Sequence, residues 1–314
     1  MTLSTAETVL ITGAAGLVGQ NLIPRIKSPG RRLIAVDKHG ANAAILRRLH
    51  PDVEVLEADL SRDGPWCEAA RRADSLIIAH AQIGGLDRSA FVANNQEATA
   101  RLLKAATSGG RAPYALHISS SVVNSVVQDW YVESKRAQEA MVKASGLPHV
   151  VLRPTLMFGW FDRKHLGWLK RFMERTPVFP VPGDGRFRRQ PLYAGDFCAV
   201  VAACLEERRS GTHDVSGLET VDYIELIRAV REAAGLRTPI VKIPYHLFWL
   251  MLWSHGLVSR NPPFTTKQLE ALVTPELFPI TNWPNEFRVR ATPLRTALHE
   301  TFAHPEYSKI VLEF

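Results

Sequence analysis

Cysteine is scarce in this 314-residue chain: Cys67, Cys198 and Cys204 are all it has, with no CxxC pair and no His/Cys cluster beside them. That excludes a disulfide framework and a zinc site as organising features, and no metal is expected. Three small thiols packed as apolar groups fit a reducing cytoplasm. Long hydrophobic runs are missing too. Residues 245–259 carry no Lys, Arg, Asp or Glu, but such a stretch is shorter than the ~20 residues a membrane span needs. It reads as a buried helix, an interfacial helix or a subunit contact, so peripheral membrane contact stays open while a transmembrane span is not expected. The opening MTLSTAETVLITG has no basic segment and no long apolar one before its first strand, so no signal peptide is expected. A dense basic tract is also absent. The formal charge is +7, yet Lys and Arg are scattered in pairs such as Arg31-Arg32, Arg47-Arg48 and Arg71-Arg72. Such a surface suits phosphates or an anionic face, and nucleic-acid binding is not expected. No low-complexity segment or internal repeat is found.

What is present is alternation. Short apolar runs at 8–13, 31–37, 53–60, 73–81, 114–121 and 149–154 read as buried parallel strands, several of them stopping at Gly or Asp. Helical patterns separate them, one from about Gly16 to Lys27, one over 94–110 closed by glycines, and one over 130–145. Alternating strands and helices imply βαβ crossovers and a parallel sheet with helices on both faces. After Pro154 the texture changes. Residues 175–191, RTPVFPVPGDGRFRRQP, read as a long functional loop. Residues 196–207 read as a helix, 211–217 as a further strand, and the remainder as mostly helical. The expected division is a dinucleotide-binding domain over 1–155, to which 190–217 return, and a substrate lobe made of 156–189 and 218–314.

ITGAAGLVGQNL places Gly13, Gly16 and Gly19 between the first strand and first helix. Glycine permits the tight turn, the close approach of backbone to a pyrophosphate, and close helix–strand packing. The N–H groups of Leu17 and Val18 at the helix start then face phosphates. The spacing is GxxGxxG rather than GxGxxG, so its context carries the reading: Asp37 ends the second strand where a ribose-binding acid belongs. A carboxylate there accepts from the ribose hydroxyls and repels a 2′-phosphate, which favours NAD over NADP, although Lys38 could partly accommodate that phosphate. Asp59 and Leu60, ending the third strand, would lie near adenine.

HISSSVVNSVVQDWYVESK supplies the chemistry. Tyr131 and Lys135 are i and i+4 on one helix and share a face. They open the helix after the fifth strand, at the carboxyl ends where open α/β sheets bind ligands. A phenol of pKa ~10 is a poor base near pH 7, and lowering it by ~3 units takes ~4 kcal/mol. A nearby ammonium favours the phenolate, while a serine hydroxyl holds the substrate oxygen.

TGAAGLVG, Asp37, ADL, HAQ, NNQEAT, HISSS, YVESK and LRPTLMFG, in that order, resemble the extended short-chain dehydrogenase/reductase family of nucleotide-sugar epimerases, dehydratases and reductases. The resemblance covers about half the chain. It implies a Rossmann-type doubly wound sheet, with a smaller, mostly helical C-terminal lobe. It implies that Ser120 is the catalytic serine, with Ser121 as the fallback, and that Lys135 also binds the nicotinamide ribose. His80 and Ala81 match the cofactor-lining strand end, Asn95 the family's helix asparagine, and Pro154 the segment beside the nicotinamide. The family's acid pair after the catalytic hydroxyl is replaced by Ser121-Val122, so 4,6-dehydration is not expected. Asn124-Ser125 replace the usual Tyr-Gly, which makes Ser121 and Asn124 candidate substrate contacts. Arg189, seven residues before Asp196, resembles the pyrophosphate-binding arginine, with Arg186 and Arg188 beside it.

The expected function is NAD-dependent redox chemistry on a nucleotide sugar, as an epimerase or a 4-keto reductase, by a cytoplasmic homodimer. Two alternatives remain: a 3β-hydroxysteroid-type dehydrogenase acting on a lipid, and a non-catalytic NAD-binding assembly subunit.

Overall fold

Apolar runs too short for helices become the strands of one sheet. A computed structural model of the chain describes residues 6–125, 129–258, 265–274 and 277–313. The strands are β1 (Glu7–Thr12), β2 (Arg31–Asp37), β3 (Glu54–Glu57), β4 (Ser75–Ile78), β5 (Tyr114–Ile118), β6 (His149–Pro154) and β7 (Gly211–Val215). They lie in the order β7-β6-β5-β4-β1-β2-β3, every pair parallel. The chain reverses its direction of winding between β1 and β4, which is the switch point where such sheets bind ligands. Three strands are shorter than their apolar runs. β4 stops at Ile78 because its register partner on β1 is Thr12, and β1 turns away there. Residues 79–81 are thereby released to line the carboxyl edge. β3 likewise ends before Asp59, whose carboxylate accepts the Ser61 N–H at 2.9 Å and turns the chain.

The helices introduced in chain order are α1 (Leu17–Ile26), α2 (Gly40–Leu49), α3 (Trp66–Arg72), α4 (Ala98–Thr107), α5 (Trp130–Ala144), α6 (Leu166–Arg175), α7 (Ala194–Glu207), α8 (Tyr223–Ala233), α9 (Tyr245–Val258), α10 (Thr266–Val273) and α11 (Leu294–Ala303). Alternation along β1 sends Val9 and Ile11 to one face, where they pack with Leu22 and Ile23 of α1 and Phe197 and Val201 of α7. Leu10 goes to the other face, with Trp66 of α3, Leu102 of α4 and Val142 of α5. Each fully buried Leu, Ile or Phe contributes about 1.5–3 kcal/mol, so these two layers hold the sheet rigid beneath its carboxyl edge.

A third core joins α6, α8 and α11 through Leu169, Met173, Ile227, Val230 and Leu298. Here the single long loop expected over 175–191 is corrected. Phe179–Pro182 is a strand pairing in parallel with Ile240–Ile243, and Arg188–Arg189 pairs antiparallel with Val221–Asp222. Pro180 and Pro182 are tolerated because in a two-stranded ribbon every strand is an edge, so half the N–H groups need no partner.

The stretch 245–259 is helical through Val258, and Ser259 lies outside the described residues. A core position for it is contradicted: Leu247, Leu250, Met251 and Trp253 are each about half exposed (48–52%). Among the described residues no helix is long and apolar enough to cross a membrane, and no group of three His, Cys, Asp or Glu side chains is placed to hold a metal ion.

Candidate active site

The glycine loop leaves β1 with Gly13 at φ +65°. A Cβ on Gly13 would meet the backbone N and Cα of His80 at 2.7 Å, so the loop after β1 lies against the loop after β4. A Cβ on Gly19 would meet the Ala14 carbonyl oxygen at 2.2 Å, so α1 is packed directly on the loop it follows. Gly16 caps α1, and Gly16, Leu17 and Val18 are only partly covered. Asp37 is buried at the end of β2, where its Oδ2 accepts the Ala15 N–H at 2.9 Å and its Oδ1 the His39 N–H at 3.0 Å. The acid found by position in the sequence therefore also fixes the shape of the glycine loop. Lys38 is turned outward and donates to Asn94 Oδ1 at 2.7 Å. Burial pushes the Asp59 carboxyl up, but the Ser61 N–H and hydroxyl, with Lys38 and Arg62 nearby, bring it net below its ordinary value. Leu60 is buried beside it.

Asp129 caps α5 by accepting the Val132 N–H at 2.8 Å, which sets Tyr131 in the first turn and Lys135 one turn on. Ser120, just beyond β5, lies beside the Tyr131 phenol and favours its ionised form. Ser121 is buried in the 3₁₀ turn Ser121–Asn124. Of the two serines offered by the sequence, the structure brings Ser120 to the phenol. The segment from Ser120 to Tyr131 includes 126–128, which lie outside the described residues. The expected lowering of the phenol is not what the structure shows. Burial pushes Tyr131 up, the Ser120 hydroxyl opposes that, and Asp129 adds to it. The lysine amine is turned elsewhere: Lys135 Nζ donates to the Ile118 carbonyl and to Gln138 Oε1, both at 2.9 Å. Burial brings Lys135 down to about 7, with Glu139 acting against it.

Behind Lys135 runs a chain of buried polar groups. Gln138 Nε2 donates to Thr99 Oγ1 at 2.9 Å, Thr99 meets His80 Nε2 at 3.0 Å, and His80 Nδ1 meets Thr12 Oγ1 at 2.8 Å. Thr12 in turn donates to the Ile77 carbonyl at 3.3 Å. One assignment of protons satisfies every member: Lys135 to Gln138, Gln138 to Thr99, Thr99 to His80, His80 to Thr12. It requires a neutral imidazole, and burial with the nearby Lys135 and Lys38 lowers His80 to about 3. Thr12, Thr99 and Gln138 were not found from the sequence. The signal available was that Gln138 is three residues past Lys135 and so shares its helix face. Asn95, fully buried in the π-helical turn Val92–Glu97, binds both the N–H and the carbonyl of Gln82 and donates to Ser134 Oγ at 2.8 Å. It thereby fastens the loop after β4, including exposed Ala81, to α5.

Ser119 donates to Glu139 at 3.0 Å, and Arg153 and Lys143 pair with the same carboxylate. Burial alone would raise Glu139, but bonds from Arg153, Lys143 and Ser119 hold it down at about 2 against an ordinary 4.5. A folded pKa below the unfolded one gives stability that is complete above pH 4.5 and lost as pH falls through 2. Glu139→Gln is therefore expected to cost on the order of 3 kcal/mol at pH 7, with the difference from the parent chain shrinking between pH 5 and 2. Urea midpoints across that range measure it.

The substrate candidates are placed less centrally. Asn124 is exposed and tied to Asp214 and Arg153 at 3.3 Å. Arg186 and Arg188 are exposed, and Arg188 donates to the Thr220 carbonyl at 2.8 Å. Arg189 lies over Phe187 and donates to the carbonyls of Leu272 and Thr274, closing the end of α10. Pro154 is buried at the end of β6.

The sheet, its switch point and its glycine loop define the doubly wound dinucleotide-binding class of fold. Within that class the chain belongs to the NAD dependent epimerase/dehydratase family, whose model matches residues 9–216. It is similar to the ceramide reductase of Caulobacter vibrioides, 26% identical over 238 residues, which are 75% of this chain and 73% of that protein. It is also 26% identical over 269 residues to a 3 beta-hydroxysteroid dehydrogenase/Delta 5-->4-isomerase of Mycobacterium tuberculosis, covering 75% of this chain and 71% of that one. Among solved structures, the UDP-glucuronic acid 4-epimerase of Bacillus cereus in complex with NAD superposes with a TM-score of 0.69 at 18% identity, over 94% of this chain and 97% of that one. The residues present fit the family's cofactor: the loop has no room for Cβ atoms at Gly13 and Gly19, and an acid ends β2.

Proposed function

We propose that this chain performs NAD-dependent redox chemistry at a hydroxyl or keto carbon of a nucleotide-linked sugar, as a 4-epimerase or a 4-keto reductase. The observation that carries the reading is the Ser120 hydroxyl beside the Tyr131 phenol, one helical turn from Lys135, at the same carboxyl edge of the sheet as the glycine loop. Gly13, Gly16 and Gly19 with the N–H groups of Leu17 and Val18 would hold the pyrophosphate, and Asp37 the adenosine ribose. Lys38, Asp59 and Leu60 would flank the adenosine, and His80, Ala81, Asn95, Lys135 and Pro154 the nicotinamide half. When bound, NAD supplies the carbon that takes or returns a hydride. Ser120 orients the substrate oxygen, and Tyr131 takes its proton or gives one back. A buried phenol is a weak base, so positive charge has to favour its ionised form, and Lys135 would supply it by turning its amine from the Ile118 carbonyl and Gln138 towards the phenol. Residues 156–189 and 218–314 would form the lobe that receives the sugar, with Ser121, Asn124, Arg186 and Arg189 as contacts. A cytoplasmic homodimer joined through the helices of Asn95 and Tyr131 completes the proposal.

The test is to incubate the purified chain with NAD and a panel of nucleotide diphosphate sugars, resolving C4 epimers by NMR. The same panel of keto sugars is offered with NADH. Epimer formation or NADH consumption is the expected result, and failure to bind NAD(H) in calorimetry would overturn the reading. A second reading, oxidoreduction of a lipid hydroxyl or ketone, is favoured by the exposed apolar surface of α9 and by the two relatives named for ceramide and hydroxysteroid chemistry. Turnover of a 3β-hydroxysterol or a keto-ceramide, with none of any nucleotide sugar, would select it.

A further inference from the structure

Leu247, Leu250, Met251 and Trp253 are related by i, i+3 and i+4 spacing, so they form one face of α9. Each is about half exposed (48–52%). Phe248, Trp249 and Leu252 are partly covered, and α9 packs with α10. An apolar face of this extent on a surface marks a contact with something. The charge along the adjoining chain says what. Between Glu232 and Glu270 the sequence has no Asp or Glu, while Arg237, Lys242, Arg260 and Lys267 all fall in that interval. Arg237, Lys242 and Lys267 are exposed, Lys242 on the strand leading into α9 and Lys267 on α10.

We propose that α9 is a peripheral membrane anchor that lies in the headgroup region of an anionic lipid bilayer. Three features support lipid over a second copy of the chain. Across a two-fold contact the acid-free interval 233–269 would meet its own copy, with no carboxylate of that interval to pair its cations. An anionic leaflet complements the same interval. The helix is also roughly 21 Å long at 1.5 Å per residue, too short to cross a ~30 Å hydrocarbon core and suited to lying along its boundary. Trp249 and Trp253 stack with ring centroids 6.5 Å apart, and tryptophan is the side chain that favours the membrane–water boundary. Anchoring would keep the catalytic edge at a surface, yet it needs no turnover and stands apart from the reading of the active site.

The experiment is sedimentation of the full chain with vesicles of phosphatidylcholine alone, or of phosphatidylcholine mixed with phosphatidylglycerol. The expected result is at least tenfold stronger partitioning to the mixed vesicles, weakened by salt. Leu250→Glu with Trp253→Glu should abolish it. Lys242→Glu with Lys267→Glu, which leaves the apolar face intact, should lower it by about tenfold or more. Unfolding midpoints of both double variants show that they fold. No partitioning of the parent chain to either vesicle overturns the proposal. So does a parent chain that dimerises through this face, becomes monomeric in the Leu250→Glu/Trp253→Glu variant and ignores vesicles. Equal binding to both vesicles removes the anionic part of the claim.

Discussion

Tyr131→Phe is expected to lower turnover by about 10²–10⁴-fold on whichever substrate the chain accepts, with NAD affinity changed no more than a few-fold. The phenol ring stays, so the first turn of α5 and its Asp129 cap keep their packing. What leaves is the single hydroxyl that Ser120 contacts. The loss should fall on kcat, because the proton moves in the transition state and adds little to ground-state binding. Ser120→Ala gives a sharper signature. The Ser120 hydroxyl is what opposes burial at the phenol, so its removal should raise the phenol further. For oxidation of an alcohol, which needs the ionised phenol, the acid limb of the pH profile of kcat/KM then moves to higher pH. A Tyr131→Phe chain that turns over as fast as its parent would end the assignment. A chain that binds NAD but transforms no substrate in either form would be the non-catalytic subunit instead.

Legibility of the fold and site followed how local each signal was. β2 and β6 have the bounds their apolar runs predict, because a run flanked by turn residues and buried on both faces has one solution. Gly13, Asp37 and Tyr131 were readable because their spacing to a strand end is a short-range fact. Thr12, Thr99 and Gln138 were not, since each is an ordinary polar residue whose partner lies tens of residues away. Arg189 shows what position alone leaves out. Its position matched a phosphate-binding pattern, but sequence could not show that the carbonyls ending α10 would occupy its guanidinium. The direction of the Tyr131 shift was missed for a related reason: spacing puts Lys135 on the same face, whereas rotamer and neighbours decide where its amine points. For α9 the composition fixed a helix, and only packing could show that its apolar side is left uncovered.

The glycine loop gives the other large effect, as a graded series. At Gly13 an added Cβ meets His80 backbone at 2.7 Å, and the residue sits at φ +65° besides. A left-handed residue costs about 1–2 kcal/mol and overpacking about 1–3 more. Because the obstacle is backbone of the loop after β4, relief requires the two loops to part. Gly13→Ala should therefore weaken NAD binding by about 10²–10³-fold, read by calorimetry, with a lowered unfolding midpoint. Gly19→Ala should be at least as severe, since its Cβ would lie 2.2 Å from the Ala14 carbonyl oxygen within the loop itself. Gly16→Ala is the internal control. Its Cβ would meet the Gly13 carbonyl at 3.3 Å, a contact that a few tenths of an ångström relieve, so it should cost much less than either. The order Gly16 below Gly13 and Gly19 follows from distances to backbone alone. If all three variants bind NAD as the parent does, this loop is not where the pyrophosphate sits, and the dinucleotide must enter elsewhere on the sheet.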